Sequence, residues 1–478
     1  MPTRAALSRS CVLKIRFQLH NWVERIPGWS AASQKTIINS GAPEVPDYLS
    51  QRQNVLTQDP AEKAELNTYL ETLADHFGLR WLERGGGNPV QDLWQARHAL
   101  ATNEMLTLGH AVMNLAKASP TWTTHQIAQM KTGSVGERAG AAFELLGLNL
   151  FSGPGQRIVP APANRPGFDG SVFFDDGSSL MVSIKNHGIS SHESAFLSKA
   201  AEIRSDFVQA AQTGGATSRL LRIIAHRHPL AADWALLRRQ VRDMFSTGQV
   251  EDSLAWSGRV EPLPAEWDPL SPRHLSNVFI LGAPFHANEQ KNFEENIRKG
   301  VANMEKHCAN VGPDVCRTLF LRMSATASMQ ECVKWTNDYF GQYPDTKIEL
   351  ILLYQAVPAV DLKTNKAAVS HCILPVQRPS YGRWTAGGSS RKFGIFPLIG
   401  TVLSNPTQLI LSDGVNARPF GGHYVFQRGD IFHHHDASPS PRTFELRNPA
   451  PGIFHHAVVG DTVFSMRGSQ DGRLLRWP

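Results

Sequence analysis

The sequence predicts an α/β protein (α+β overall), with a mixed-sheet core flanked by helices, a helical N-terminal region and a β-rich C-terminal region. Three observations predict this. Apolar residues recur at helical spacing from about residue 46 to 118, strands alternate with helices between about 134 and 360, and short strands between Gly, Pro, Asn and Ser turns dominate from Ala356 onward. We therefore expect four regions, at 1–120, 121–250, 251–360 and 361–478.

Composition limits the class of protein. Of the 478 residues, 41% are apolar and 19% charged, which is the balance of a folded chain. No stretch approaches roughly 18 uninterrupted apolar residues, and Lys14, Arg16 and His20 interrupt the apolar start, so neither a membrane span nor a conventional secretion signal is expected. The five cysteines are dispersed without a C-x-x-C pair, which favours a reducing, cytoplasmic compartment. The formal charge of +6 permits a polyanionic partner without requiring one.

The N-terminal elements are helical. Apolar residues recur every three or four positions in AEKAELNTYLETLADHFGLRWLE and in DLWQARHALATNEMLTLGHAVMNLAK, and the stretch Gly85-Gly86-Gly87-Asn88-Pro89 separates the two patterns. Thr121 to Gly133 is expected to connect this region to the next one.

The core begins with a capped helix and a hairpin. In SVGERAGAAFELLGLNL, Ser134 and Glu137 have the spacing of a capping box, and the helix is expected to end near Gly147. A short strand at Arg157 to Val159 precedes FDGSVFFDDGSSLMVSIKNHG (168–188), in which two apolar runs are joined by a turn.

Helices and strands then alternate, which implies parallel crossovers and either one large mixed sheet or two α/β units. The expected strands are Arg219 to His226, Asn277 to Gly282, TLFLRM and IELILLYQ, and the expected helices are SHESAFLSKAAEIRSDFVQAAQ, LAADWALLRRQVRDMF, NEQKNFEENIRKGVANMEKHC and MQECVKWTNDYFGQY.

The turn of the hairpin decides which side chains share a face. Strand periodicity places Ser183 and Lys185 on the same face. A two-residue Asp176-Gly177 turn would pair Asp169 with Ile184, whereas a three-residue loop from Asp175 to Gly177 would pair Asp169 with Ser183 and bring the acid and the lysine to one face. Both loops suit the residues present, so the sequence leaves the two registers open.

A helix with Glu, a strand, a strand that begins with Asp, a strand that ends in x-x-K, a helix and a further strand together resemble the PD-(D/E)xK restriction-endonuclease-like superfamily. The resemblance covers roughly residues 134 to 228. It implies a nuclease-like sheet core and a metal-dependent endonuclease that hydrolyses phosphodiester bonds of DNA with Mg²⁺ or Mn²⁺. Restriction and phage defence are roles that fit this chemistry.

The resemblance also assigns residues. Asp169 matches the metal-binding aspartate, Lys185 matches the catalytic lysine, and Ser183 occupies the position that usually holds Glu or Asp. The helical acid corresponds to Glu144, with Glu137 as the alternative. The two lie two helical turns apart on one face, roughly 10 Å along the axis, so only one of them is expected to reach a metal. Asp169, Glu144 and Ile184 are the positions expected at the metal. Because Ser183 is neutral, metal affinity is expected to fall unless Glu144 or Asp175 compensates.

Several residues are candidates for contact with nucleic acid. Six arginines lie between residues 219 and 242 against one acid, Asp233, and such an excess suits a phosphate backbone, although a solvated helix face explains it equally simply. The expected contacts are Asn186, His187, Arg219, Arg222, Arg227, Arg238, Arg239 and Arg242.

A second cluster lies near the C-terminus. GDIFHHHD (429–436) stands between His423 and His455-His456, and imidazoles and a carboxylate are ligands that Zn²⁺ accepts. Adjacent histidines on a strand face opposite ways, so a partly exposed turn is favoured over a zinc site.

Two hypotheses follow from the sequence. One is an active DNA endonuclease; the other is a catalytically inactive nuclease-like module that binds nucleic acid or a protein partner. A homodimer is compatible with both.

Overall fold

A computed structural model describes most of the chain after residue 45. The described residues are 46–52, 59–97, 99–153, 155–162, 167–215, 219–247, 250, 252–262, 277–308, 311–312, 315–324, 327–361, 366–379, 401–403, 408–412, 417–428, 452–459 and 462–466. Those from Asp47 onward belong to one compact unit.

The described helices all lie before residue 343, and a π-helical turn (Ala74–Gly78) separates the first two. Their bounds are α1 Pro60–Leu73, α2 Leu79–Arg84, α3 Pro89–Ala96, α4 Ala99–Ala118, α5 Pro120–Thr132, α6 Val135–Asn149, α7 Ser191–Thr213, α8 Ala231–Thr247, α9 Glu289–Cys308 and α10 Met329–Gln342. The described part of the first region is therefore helical, as predicted. None of the described helices is both long and apolar enough to cross a membrane.

The strands form two mixed sheets. Their bounds are β1 Gln156–Pro160, β2 Gly170–Phe174, β3 Ser179–His187, β4 Arg219–Ala225, β5 Trp256–Pro262, β6 Val278–Pro284, β7 Val315–Met323, β8 Leu350–Asp361, β9 Lys366–Gln377, β10 Thr401–Leu403, β11 Gln408–Ser412, β12 Ala417–Pro419, β13 His423–Arg428, β14 Gly452–Val459 and β15 Thr462–Met466. The α/β class with helices flanking a mixed sheet is confirmed.

The larger sheet has the order β1-β2-β3-β7-β8-β15-β14-β11-β12, with β9 and β10 branching from β8. Strand β3 pairs antiparallel with β2 and parallel with β7, and β7 pairs parallel with β8. The smaller sheet has the order β13-β6-β4-β5. Strands from three of the four predicted regions share the larger sheet, while the division into four regions remains a prediction.

Alternating side chains of the central strands pack against helices on both faces of the larger sheet. On one face Val182, Ile184 and Phe320 join the core beneath α6, where Phe143 stacks on Phe320 with ring centroids 5.6 Å apart. On the other face Leu319 and Leu321 pack beneath α9 and α10. This burial on both faces holds β3 rigidly between β2 and β7.

The sequence left open one large mixed sheet or two α/β units, and the structure has two sheets. The strand at Arg219 to Ala225, β4, belongs to the smaller sheet, and β7 lies beside β3. Strand β7 is buried on both faces from Thr318 to Met323, as an interior parallel strand must be, whereas β4 carries the half-buried Arg219 and Arg222.

The expected connector at Thr121 to Gly133 is instead a helix, α5. Pro120 stands in its first turn, where a missing N–H costs nothing, and the buried residues Thr123, Gln126, Ile127 and Met130 have helical spacing. Three of the first five residues are polar or β-branched, which concealed the helix in the sequence. Helix α5 packs against α6, the helix that carries Glu144.

The contact between α1 and α4 depends on a glycine. A Cβ at Gly109 of α4 would clash with the backbone carbonyl of Tyr69 in α1, and a backbone atom has no rotamer with which to move away. Gly109→Ala is therefore expected to lower the free energy of unfolding by about 1–3 kcal/mol, the usual cost of overpacking. Urea denaturation measures the change. Gly140→Ala in α6 is the matched control, because its Cβ meets nothing within 4 Å; helix propensity should make that variant more stable by up to about 1 kcal/mol. Equal effects of the two substitutions would contradict the packing argument.

Candidate active site

The hairpin adopts the three-residue loop, which resolves the register left open by the sequence. Phe173 pairs with Ser179 and Gly170 with Val182. Within the loop the Gly177 N–H donates to the Phe174 carbonyl at 3.0 Å, and Gly177 has a φ of +81°, a backbone conformation that favours glycine. This register continues to Gly170, and the next residue, Asp169, donates its backbone N–H to the Val182 carbonyl at 2.8 Å.

The strand pairing of β2 with β3 ends at Gly170, and the backbone N–H of Ile184 lies beyond this end, in the region that we call the fork of the two strands. The Asp169 side chain fills the place of the missing strand partner: its Oδ2 accepts a hydrogen bond from the Ile184 N–H at 2.5 Å. The same oxygen lies 3.4 Å from the Ser183 Oγ, which donates to it. The carboxylate of Asp169 is thereby fixed at the fork of the two strands.

Lys185 turns back to the same fork. Its Nζ donates to the Ile184 carbonyl oxygen at 3.0 Å and lies 3.6 Å from the Asp169 Oδ2. The side chain of Lys185 is 38% exposed and that of Asp169 is 22% exposed, so both reach solvent. A positive charge therefore already stands beside the carboxylate and the backbone oxygen at the fork.

Glu144 joins this group from α6. Burial, and secondly the negative charge of Asp169, raise the pKa of Glu144 to about 7, while the positive charge of Lys185 and a hydrogen bond from Gln126 act in the opposite direction. That hydrogen bond runs from Gln126 Nε2 to Glu144 Oε2 over 2.8 Å. Two carboxyl groups and one ammonium group, carried by three separate elements, thus interact at the fork.

Glu137, the alternative acid, has another role. It is exposed, its carboxylate accepts from the Ser134 N–H at 2.7 Å, and its own N–H donates to the Ser134 Oγ. The capping box that the sequence predicted is confirmed. The hydrogen bonds from Ser134 hold the pKa of Glu137 below its usual value, so this acid serves the start of α6.

Ser183 leaves the fork short of one acid, and Asp175 does not replace it. Ser183 is completely buried. Asp175 follows the far end of β2, six residues beyond Asp169, which corresponds to about 20 Å along a strand. Of the two acids that could compensate for Ser183, Asp175 therefore lies far from Asp169, whereas the charge of Asp169 acts on Glu144.

The oxygen atoms at the fork fit a hard divalent cation. Mg²⁺ and Mn²⁺ prefer carboxylate, carbonyl and water ligands, and Asp169, Glu144 and the Ile184 carbonyl supply the first two kinds. The ammonium of Lys185 shows that a cation is favourable beside Asp169 Oδ2 and the Ile184 oxygen. Among the described residues no group of three or more His, Cys, Asp or Glu side chains is arranged to hold a metal, so a cation here would depend also on neutral oxygens and water.

Two predicted contacts at the end of β3 differ in exposure. Asn186 is exposed, whereas His187 is buried. The Nδ1 of His187 accepts from Asn296 of α9 at 2.7 Å and the ring meets Phe293 edge to face. Burial lowers the pKa of His187 to about 4, so the imidazole is neutral and anchors β3 to α9.

Most of the six arginines have acidic partners within the chain. Arg238 and Arg242 pair with Asp206 of α7 at 2.6 and 3.0 Å. The other pairs are Arg222 with Glu261 at 3.4 Å, Arg227 with Asp233 at 2.7 Å and Arg238 with Glu202 at 2.9 Å. Arg239 is exposed, and Arg219 is partly buried. Nucleic-acid binding by these residues remains a prediction, and the paired arginines would have to share their partners with phosphate.

A group of histidines that the sequence did not reveal lies where β4 and β6 end. The rings of His192 and His286 stack with centroids 3.8 Å apart, and His228 meets His286 edge to face at 5.0 Å. The predicted cluster at 429–436 lies outside the described residues, as do the side chains of His455 and His456.

Comparison with known proteins identifies no relative: no family model matches the chain, and neither a curated protein nor a solved structure matches it. The function therefore has to be inferred from the geometry at the fork.

Proposed function

We propose that the chain is a metal-dependent endonuclease that hydrolyses phosphodiester bonds of DNA on a PD-(D/E)xK-like core. One observation carries the proposal: Glu144, Asp169 and Lys185, to which the family resemblance gives catalytic roles, interact electrostatically although they come from separate parts of the chain. The proposal rests on this arrangement of the three side chains. It does not depend on a matching relative or on an acid at position 183.

The residues at the fork have complementary tasks. Asp169, Glu144 and the Ile184 carbonyl would hold Mg²⁺ or Mn²⁺. Bound there, such an ion supplies an activated water and offsets charge on the phosphate. The Lys185 ammonium, next to the fork and partly exposed, can orient the attacking water and stabilise the additional negative charge of the transition state. The Ile184 N–H keeps the Asp169 carboxylate oriented.

DNA is the proposed partner, and beside the fork Asn186 is exposed and Lys185 is partly exposed. A cytoplasmic location and a role in restriction or phage defence agree with this chemistry and with the dispersed cysteines. A homodimer or a second protein remains compatible with the proposal.

Asp169→Asn is expected to reduce DNA cleavage at least about a hundredfold while the fold is retained. The asparagine oxygen can still accept from the Ile184 N–H, but the negative charge that would hold the metal is gone. Plasmid DNA and single strands incubated with purified protein in Mg²⁺ and in Mn²⁺ provide the measurement.

The matched control is Asp175→Asn, because this acid is exposed and lies at the far end of β2. It should cleave like the unmodified protein. Cleavage that survives Asp169→Asn, or no cleavage by the unmodified protein in either metal, would reject the proposed activity.

The second function is a nuclease-like module that binds nucleic acid without cutting it, and the buried Ser183 favours it. It requires salt-sensitive DNA binding that is independent of Mg²⁺ and is unchanged by Asp169→Asn. The same two proteins in a binding titration therefore separate the two functions.

A further inference from the structure

Gln126 of α5 reaches the candidate site through its hydrogen bond to Glu144. Its side chain is buried, with 4% of the residue exposed. The Nε2 donates to the Glu144 Oε2 at 2.8 Å, whereas the Oε1 is buried and has no hydrogen-bond partner. A buried amide oxygen without a partner costs free energy, and such an atom in a folded protein calls for an explanation.

The orientation of this amide follows from its neighbour. An ionised carboxylate only accepts hydrogen bonds, so the amide must present Nε2 to Glu144 whenever Glu144 is charged. Exchange of the two amide atoms would bring two acceptors together. Since both atoms are bonded to one carbon, the unpartnered Oε1 remains beside the Glu144 carboxylate, at the group that interacts with Asp169 and Lys185.

The site lacks the oxygen ligand that a carboxylate at position 183 would supply. Amide oxygens are hard donors that suit Mg²⁺ and Mn²⁺. A buried, unpartnered amide oxygen next to Glu144 thus has the chemistry that the fork is missing, and it comes from outside the hairpin that carries the motif.

We propose that Gln126 completes the divalent-metal site, its Oε1 binding the cation directly or through a metal-bound water in place of the acid absent at position 183. This role rests on the proposed metal dependence of the fork. It makes α5 part of the site and gives Gln126 two tasks, holding Glu144 through Nε2 and meeting the cation through Oε1.

The test is calorimetric titration of Mn²⁺ into the full chain, without DNA, for the unmodified protein, Gln126→Leu and Gln126→Glu. Gln126→Leu removes the oxygen and is expected to weaken Mn²⁺ binding about tenfold to a hundredfold. Gln126→Glu keeps an oxygen ligand but donates nothing to Glu144, so a ligand role predicts that affinity is retained or increased. If Gln126 only supported Glu144 by hydrogen bonding, Gln126→Glu would bind at least as poorly as Gln126→Leu, and that result would overturn the proposal.

Controls keep the outcomes distinct. Gln129→Ala, one turn further along α5 at an exposed contact with His125, should bind Mn²⁺ normally. Mn²⁺ binding that is lost in Asp169→Asn but unchanged in both Gln126 variants rejects the role of Gln126 alone. Absence of Asp169-dependent Mn²⁺ binding in the unmodified protein rejects the proposed function, and this inference with it. If Gln126→Leu fails to fold, Gln126→Met replaces it, because methionine keeps the length of the side chain and lacks the oxygen.

Discussion

Replacement of Lys185 with methionine is expected to lower the rate of DNA cleavage by about 10²–10³-fold, the usual effect of removing one preorganised group that stabilises transition-state charge. Methionine keeps the length of the side chain and removes its charge. The fold should persist, since Lys185 is partly exposed and a surface ion pair contributes at most about 1 kcal/mol. Single-turnover rates at saturating Mg²⁺ measure the loss.

Lys185→Met should not lose affinity for metal, although it should lose cleavage rate. The Lys185 ammonium contacts the Ile184 carbonyl oxygen and lies near Asp169, so it competes with a cation for these atoms. Lys185→Met is therefore expected to bind Mn²⁺ as tightly as the unmodified protein or more tightly. Lys199→Met is the matched control: Lys199 also pairs with one carboxylate, Glu202, and is 46% exposed, but it lies on α7 away from the fork. Full activity of Lys185→Met would mean that the lysine only supports Asp169.

The local parts of the site could be predicted from the sequence because short-range chemistry determines them. Ser134 and Glu137 specify the start of α6, and the alternation along β3 specifies that Ser183 and Lys185 share a face. The choice between two loops at Asp176 and Gly177 lay beyond the sequence, since both loops suit those residues. The register is decided by which side chains β2 and β3 bury together, and that is a property of the assembled sheet.

The remaining features depend on contacts distant in the sequence. The sequence between residues 219 and 242 shows an excess of arginine over acidic residues. The acids Glu202, Asp206 and Glu261, which pair with some of these arginines, lie outside that range, so the pairs could not be predicted from it. The order of the strands could not be predicted for the same reason. Strand β7 lies more than a hundred residues after β3 in the sequence, yet it pairs with β3 and is buried on both faces there.

Gln126 illustrates a different limit. No residue pattern marks a glutamine as part of a site, and its position in a helix rich in threonine suggested a connector. The signal that was present is its spacing from Thr123, Ile127 and Met130, which places it on the buried face of α5. A polar side chain at such a position needs a partner, and that requirement alone singles it out.

Glu144 shows how the candidate site opposes the stability of its own fold. A buried acid whose ionised form is disfavoured destabilises the protein wherever the pH requires ionisation. The usual pKa of this side chain is 4.5, and burial together with Asp169 raises it to about 7. The folded state thus holds the proton more tightly than the unfolded state. The stability from this protonated form is fully present below pH 4.5 and is lost as the pH rises through about 7.

Glu144→Gln should therefore stabilise the protein at pH 8 relative to pH 4 by up to about 3.5 kcal/mol, since the pKa of Glu144 is raised from 4.5 to about 7 and each pKa unit corresponds to about 1.4 kcal/mol. Glutamine has nearly the shape of the acid and can keep the contact with Gln126 but cannot ionise. Urea denaturation at several pH values, without divalent metal, measures the difference. DNA cleavage by Glu144→Gln should be reduced, as it is expected to be in Asp169→Asn. The variant should therefore be more stable at pH 8 but less active than the unmodified protein.

Glu137→Gln provides the control with the opposite sign. The pKa of Glu137 is lowered by the capping box, so its charged form stabilises α6 above the usual pKa, and this contribution is lost as the pH falls. The substitution should therefore destabilise the protein at pH 8 and have no effect under acid conditions. Mg²⁺ should raise the melting temperature of the unmodified protein at pH 8 more than that of Glu144→Gln, because the variant lacks one of the two carboxylates proposed to hold the cation. Equal stability of Glu144→Gln and the unmodified protein at pH 8 would show that Glu144 is ionised without cost, and its role as a destabilising metal ligand would have to be abandoned.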